Sequence, residues 1–409
     1  MDVNNTEQAK QTAEGPLSGI RVVEMGQLIA GPFCGQLLGD HGAEVIKFEQ
    51  PGVGDPLRQW GNVRPDDRSV WWSVIGRNKK SVTLNLRTPE GQELAREVID
   101  TADVVIENFR PGTAEKWNLG YETLAERNPG IIFTRVSGFG QTGPYSHRPG
   151  YGSIGEAMGG LRYVVGDPST PPSRMGISIG DTLAATFAAL GTLSALHERE
   201  RSGKGQIVDA AIYESVLAVM ESLVPDWAVG SYQRERSGSI LPKIAPSNVY
   251  PTKDGSWILI AANQDTVFPR LAKAIGLPDM ASDPRFETHH ARGENQQELD
   301  DLIAKYTAQQ DADKLEEQLI EHAVPVGKIY KAEEMLEDPQ FQARDSIINV
   351  HEPHLGNVPM QNAFPRLSRT DTSVRWPGPG LGAHTDEVLE SLIGKSQAEI
   401  ADLKSKGVV

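Results

Sequence analysis

At 409 residues and 44.5 kDa the chain is longer than one hydrophobic core supports, since single cores stop growing near ~250–300 residues, and its length points to two domains. Hydrophobic residues make up 38%, with 41 glycines besides, a globular composition that excludes a largely disordered protein. Its 40 basic against 55 acidic residues give a formal charge of −15, and so acidic a surface repels phosphate backbones: nonspecific nucleic-acid binding is excluded as a first reading, and an anionic ligand needs a local gathering of cations.

Residues 1–15 are polar, lack the apolar run of a secretory signal and read as a disordered N-terminus. Residues 19–25 (GIRVVEM) read as a strand, Gly31-Pro32 opens a helix that runs to Asp40, and Gly42 ends it before a second strand over 44–49. Residues 81–86 are strand-like. Thr88 and Pro89 then cap and start a helix over 88–99, and short apolar strands at 104–106 and 131–136 follow. Apolar strands between helices predict a mainly parallel sheet covered on both faces. Residues 181–200 read as a long Ala/Leu-rich helix and 210–229 as another. From about 234 to 329 the texture changes: a turn leads into a strand over 250–261 and charged helices follow, which predicts a smaller α+β domain. The tail from 378 returns to Gly/Pro turns and one amphipathic helix over 385–392. The expected organisation is a large domain over 16–225, a small domain over 226–335 and a return to the large domain over 336–409. No stretch approaches the ~18 apolar residues that span a bilayer, so a soluble, cytoplasmic protein without membrane or nucleic-acid partners is expected.

An open βα sheet invites a dinucleotide, but the first strand–helix turn, MGQLIAGP (25–32), lacks G-x-G-x-x-G, and no P-loop lysine motif occurs. The single cysteine, Cys34, excludes an internal disulfide and a multi-cysteine metal site. His289 and His290 are adjacent and point to different faces, so no metal site is expected. GYGSIG (150–155) has Tyr151 where a nucleophile elbow needs glycine. Two segments hold more. ENFRPGTAEK (107–116) follows a strand and offers an amide, a ring and cations, either as a solvated loop or as a holder of a purine and phosphates. SIGDTL (178–183) opens the long helix with Asp181, either as an N-cap or as a carboxylate kept ionised by the helix dipole and able to act as a nucleophile.

At these residues the chain resembles the class III CoA-transferase family, which includes formyl-CoA:oxalate, carnitine and bile-acid CoA-transferases and the related α-methylacyl-CoA racemases. The resemblance runs from about residue 16 to 409. It is carried by LSGIRV (17–22), AGP (30–32), LGDHGAEVIKFE (38–49), RNKKS (77–81), ENF (107–109), GQTGPY (140–145), GKGQ (203–206) and LGAHTDEV (381–388). It implies an α/β fold with a Rossmann-like large domain, a smaller α+β domain and an interlocked homodimer. It places the catalytic aspartate on Asp181. It places coenzyme A contacts on Ile29 and Ala30, on Leu84, Asn85, Leu86 and Arg87, on Asn108, Phe109 and Arg110, on Lys116, and on Pro149, Gly150, Tyr151 and Gly152, with Tyr151 also lining the substrate pocket.

The resemblance implies a transfer of CoA from an acyl-CoA to an acceptor carboxylic acid through a covalent aspartyl intermediate, with no permanently bound cofactor and no metal. Dicarboxylates are the expected acids. The alternative, racemisation of a 2-methylacyl-CoA, needs a histidine where this chain has Tyr151, and a phenol of pKa ~10 is a poor base at neutral pH. Three departures from relatives stand out: Gly152 where a carboxylate often follows the tyrosine, Gln50 where some carry an arginine, and a single glycine in RSGSI (236–240).

Overall fold

The structure, a computed structural model, describes residues 15–409. The disorder expected over 1–15 therefore lies, Gly15 apart, outside the described residues. Two compact units form: residues up to Leu161 with Gly176–Glu221 and Ala343–Val409, and Arg162–Met175 with Ser222–Gln342.

The first unit begins β1 (Arg21–Glu24), α1 (Ala30–Asp40), β2 (Glu44–Glu49), α2 (Val70–Ile75), β3 (Lys79–Thr83), α3 (Pro89–Ile99) and β4 (Val104–Glu107). It continues with α4 (Thr113–Lys116), α5 (Tyr121–Arg127), β5 (Ile132–Ser137), α6 (Gly152–Met158), α7 (Leu161–Val164, which crosses into the second unit), α8 (Ile179–Ser202) and β6 (Ile207–Ala211). All six strands are parallel, in the order β3-β2-β1-β4-β5-β6. Alternate strand residues feed two cores. Val22, Val104, Ile106, Ile132 and Val136 join α1 and α8 on one face. Val23, Ile46, Val82, Val105 and Phe133 join α3 and the C-terminal helices Thr385–Ile393 and Gln397–Ser405 on the other. Burial on both faces is why these strands read as continuous apolar runs, and each wholly buried Val, Leu or Ile stabilises by about 1.5–3 kcal/mol. Thr88 caps α3, its hydroxyl accepting from Gly91 N at 3.1 Å, as the Thr-Pro start predicts.

The order reverses between β1 and β4, so the loops after these two neighbouring strands flank the crevice where open α/β sheets bind ligands. The opposite edge strand, β3, is covered by chain from the far end of the sequence. Asn78 N donates to Trp376 O, His384 N to Ser81 O, Thr83 N to Thr385 Oγ1 and Asn85 N to Val408 O. An antiparallel hairpin, Ile347–Glu352 with Gly356–Gln361, belongs to the same unit.

The second unit packs helices on a three-stranded antiparallel sheet of Ser247–Pro251, Trp257–Ala261 and Val326–Lys328. Its core holds Tyr250, Phe268, Phe286, Leu299 and Leu315. Arg292, wholly buried, donates to the carbonyls of Ala245, Phe286 and Asn263 and pairs with Asp265.

Three expectations change. Residues 210–229 are not one helix: 207–211 form β6, because Ala210 and Ala211 pair with Val136 and Ser137 and complete the sheet, and two short helices, Ile212–Leu217 and Leu223–Gly230, follow. The long helix starts two residues before Asp181, with Ser178 in the cap position, so Asp181 lies inside the first turn and is not the N-cap. That helix, α8, is also long and apolar enough by length and composition to cross a membrane, contrary to the expectation that no stretch would be. Its Ala184, Ala185, Ala188 and Ala189 face the sheet-bound core, and helix-forming alanine rather than lipid contact explains the composition.

Candidate functional site

Parallel strands end on one edge, and every residue the resemblance singles out follows the carboxyl end of a strand or opens a helix on that edge. Leu84, Asn85, Leu86 and Arg87 follow β3, Ile29 and Ala30 follow β1, Asn108, Phe109, Arg110 and Lys116 follow β4, and Pro149, Gly150, Tyr151 and Gly152 come after β5. With about 4.8 Å between neighbouring strands, β3 to β5 spans about 19 Å, so these residues line an elongated track. Leu84, Leu86, Ile29 and Ala30 are buried, whereas Arg87, Arg110, Lys116, Pro149 and Tyr151 are exposed. The cationic groups of Arg87, Arg110 and Lys116 have no ion-pair partner among the described residues. Arg87 follows β3 at one end of the track, and Arg110 and Lys116 follow β4, three strand spacings or about 14 Å further along.

At the other side two glycines join β5 to α8. Gly138, just past β5, lies so close to Gly150 that a Cβ on either would stand 2.8–2.9 Å from the other's Cα. Gly152 opens α6, and a Cβ there would fall 2.3 Å from Oδ2 of Asp181. The Asp181 carboxylate thus fills the space a side chain at 152 would take, in the first turn of a 24-residue helix whose dipole favours its charge. Behind it Glu156, buried in α6, accepts from Gly180 N at 3.4 Å. Glycine in place of a carboxylate at 152 is what makes room for Asp181 in this arrangement.

Buried charge underlies the track. Lys47 of β2 donates to Glu24 Oε1 at 2.8 Å and to the carbonyl of Gly26 at 2.7 Å, and pairs with Asp55 at 2.8 Å. Burial alone would lower its pKa, but the Asp55 and Glu24 charges overcome that and hold it above the usual lysine value. Lys79 lies 2.8 Å from Glu24 Oε2 as an ion pair without hydrogen-bond alignment and donates to Pro32 O; burial takes its pKa below the ordinary value. Asp55 also accepts from Leu57 N and Leu28 N, and Lys47 outweighs burial to keep its carboxyl low. At the next loop Glu107 accepts from Arg135 Nε at 2.7 Å and from Phe109 N at 2.6 Å, while Arg135 also grips Glu115 of α4. Burial pushes the Glu107 carboxyl up to about 7 in spite of Arg135. Phe109 is fixed from its other side by Trp117, edge to face at 5.1 Å.

These supporting charges were not singled out from the sequence. The available signal was a lysine set between the apolar residues of the strand EVIKFE (44–49). Cys34 is wholly buried in α1, and burial raises its thiol pKa, as a packed side chain requires. Among the described residues no cluster of three metal-ligating side chains occurs. A cavity of about 390 Å³ lined by Arg58, Trp72, His354, Trp376 and His384 includes none of the track residues.

The family model described as CoA-transferase family III matches residues 17–385. The chain belongs to that family. It is 58% identical to the succinyl-CoA–D-citramalate CoA-transferase of Chloroflexus aurantiacus, over 98% of this chain and all of that one. It is 36% identical to the succinate–glutarate CoA-transferase of Agrobacterium fabrum, over 92% of this chain and 96% of the relative. Among solved structures, a CaiB/BaiF family protein from Brucella suis superposes with a TM-score of 0.84 at 34% identity, covering 93% of this chain and all of that one. The class III CoA-transferase fold and enzyme class expected from the motifs are those of the protein.

Proposed function

We propose that this family III CoA-transferase moves CoA from succinyl-CoA or a similar dicarboxylyl thioester to a second dicarboxylic acid, with Asp181 as the covalent relay. The observation that carries the reading is what one edge of the sheet collects: three cations without ion-pair partners in the loops after β3 and β4, and a helix-seated carboxylate against Gly152 after β5. The cations suit the phosphates of the nucleotide end, and the thioester end then reaches Asp181. The Asp181 carboxylate attacks the thioester carbonyl, expelling CoA thiolate and leaving an aspartyl–acyl anhydride. The thiolate attacks the aspartyl carbonyl, which releases the first acid and leaves an aspartyl-CoA thioester. The acceptor carboxylate then runs the two steps in reverse and departs as the new acyl-CoA. Each intermediate keeps the activation of the thioester, so a carboxylate nucleophile suits exchange between two acids.

The acids named for the Chloroflexus and Agrobacterium relatives support dicarboxylates, and D-citramalate and glutarate are the first acceptors to test. Racemisation is the weaker reading because Tyr151, 68% exposed, replaces the second acid/base. A homodimer belongs to this proposal: Leu190 and Leu193 on α8 are exposed apolar side chains of the kind a second copy would cover. The test is incubation with succinyl-CoA and then hydroxylamine, followed by peptide mass spectrometry. Asp181 should become the hydroxamate, and Asp181→Ala and Asp181→Asn should lose transfer by at least 10³-fold. Transfer at wild-type rate by either variant, or label elsewhere only, overturns the proposal.

A further inference from the structure

Asn108 stands among the residues that the resemblance assigns to CoA contact, yet both ends of its carboxamide are taken by the main chain of Gln27. Its Oδ1 accepts from Gln27 N and its Nδ2 donates to Gln27 O, each at 2.8 Å. The slot that holds it is tight on two sides: a Cβ at Gly26 would stand 2.9 Å from Asn108 Oδ1, and one at Gly31 would stand 3.3 Å from its Cγ. The neighbouring residues of the same loop are gripped as well. Lys47 donates to Gly26 O at 2.7 Å, and Asp55 accepts from Leu28 N at 3.1 Å. Leu28 has φ 64°, a conformation that a leucine keeps only where its surroundings over-determine it. Three consecutive residues are therefore tied by side chains from the ends of β4 and β2 and from the loop after β2. The loop they fix leads directly into Ile29 and Ala30, and it lies at the strand-order reversal, the place where an open sheet admits its ligand.

We infer that Asn108 is a positioning residue: its carboxamide bridges the crevice between β1 and β4 and presets residues 26–30 in the shape that receives acyl-CoA, in place of touching the ligand itself. The inference rests on the acyl-CoA reading given above. It assigns the cost of ordering the loop to folding, so that binding does not bear it.

The test is hydrogen exchange of the ligand-free, full-length protein, read on a peptide spanning 26–29, beside steady-state kinetics with succinyl-CoA. In Asn108→Ala the Gln27 amide should exchange at least tenfold faster than in the wild type, and KM for succinyl-CoA should rise at least tenfold. Asn108→Asp keeps an acceptor for Gln27 N but sets a carboxylate against Gln27 O. It should retain much of the amide protection while KM still rises, and it carries the test if the alanine variant does not fold. Unchanged exchange over 26–29 together with a raised KM would show direct ligand contact and overturn the inference, as would a variant that loses protection with no change in KM. Exchange is measured without substrate, so failure of the Asp181 chemistry leaves that result readable, and failure of the clasp leaves the Asp181 labelling untouched.

Discussion

Replacing Gly152 by alanine tests whether the seat of Asp181 matters more to chemistry than to folding. An added Cβ would stand 2.3 Å from Oδ2, 2.7 Å from Cγ and 3.0 Å from Oδ1 of Asp181. Carbon–oxygen contacts relax to about 3.3 Å, so the carboxylate has to retreat by about 1 Å. It can do so by rotating its short side chain, which makes the move cheap for stability. Gly152 is the first residue of α6, so the roughly 0.5–1 kcal/mol that alanine gains over glycine in a helix interior is an upper bound there. Tm should therefore stay within about 2 °C of the wild type. A nucleophile displaced by 1 Å loses on the order of 10²-fold in rate, about 2.7 kcal/mol of barrier. The assay is kcat for CoA transfer from succinyl-CoA to a dicarboxylate, with a thermal melt of the same preparation. A kcat within threefold of wild type at unchanged Tm would refute the reasoning.

Asp55→Ala leaves buried Lys47 with one carboxylate to share with Lys79 and orphans the Leu28 and Leu57 amides; urea denaturation should show a loss of about 3–5 kcal/mol, and a loss below about 1 kcal/mol would contradict the network. Glu107 gives a pH signature. Its carboxyl rises from the ordinary 4.5 to about 7 on folding, so its stabilising contribution is full below 4.5 and is lost as pH climbs through 7. The unfolding free energy of the wild type relative to Glu107→Gln should fall by about 3 kcal/mol between pH 4.5 and 7.5, and a flat difference would exclude the shift. Cys34, wholly buried with a raised thiol pKa, should resist iodoacetamide in the native protein and take one equivalent in denaturant; native labelling at the rate of a free thiol would place it elsewhere.

The parallel sheet was legible because strands buried on both faces must be apolar along their whole length, as in residues 104–106 and 131–136. Its last strand was not. Ile207–Ala211 is short, Ile207 and Asp209 are exposed, and its alanines carry helical propensity that pairing with β5 overrides. Asp181 could be found but not placed: whether an acid caps a helix or sits within its first turn depends on where the chain enters, and here Ser178 takes the cap. The two-sided grip of Asn108 on Gln27 was invisible, since it joins residues 81 apart. The same holds for the pairing of Lys47 with Asp55 and Glu24, because strand order, not spacing, brings those groups together. What local patterning does encode is the glycine at 26, 31, 150 and 152, each marking a close approach whose partner only the fold reveals.

The cover over β3 has a consequence for how the chain reaches this state. Asn78, Ser81, Thr83 and Asn85 find their partners at Trp376, His384, Thr385 and Val408, some 300 residues later. During synthesis the β3 edge therefore waits, unpaired, until some 300 further residues have been made, and contacts of such long sequence separation form slowly. The turn at Asn85 gains its bond to Val408 only after the residues of the second unit have been made, and until then the uncovered β3 edge is open to pairing with another nascent chain.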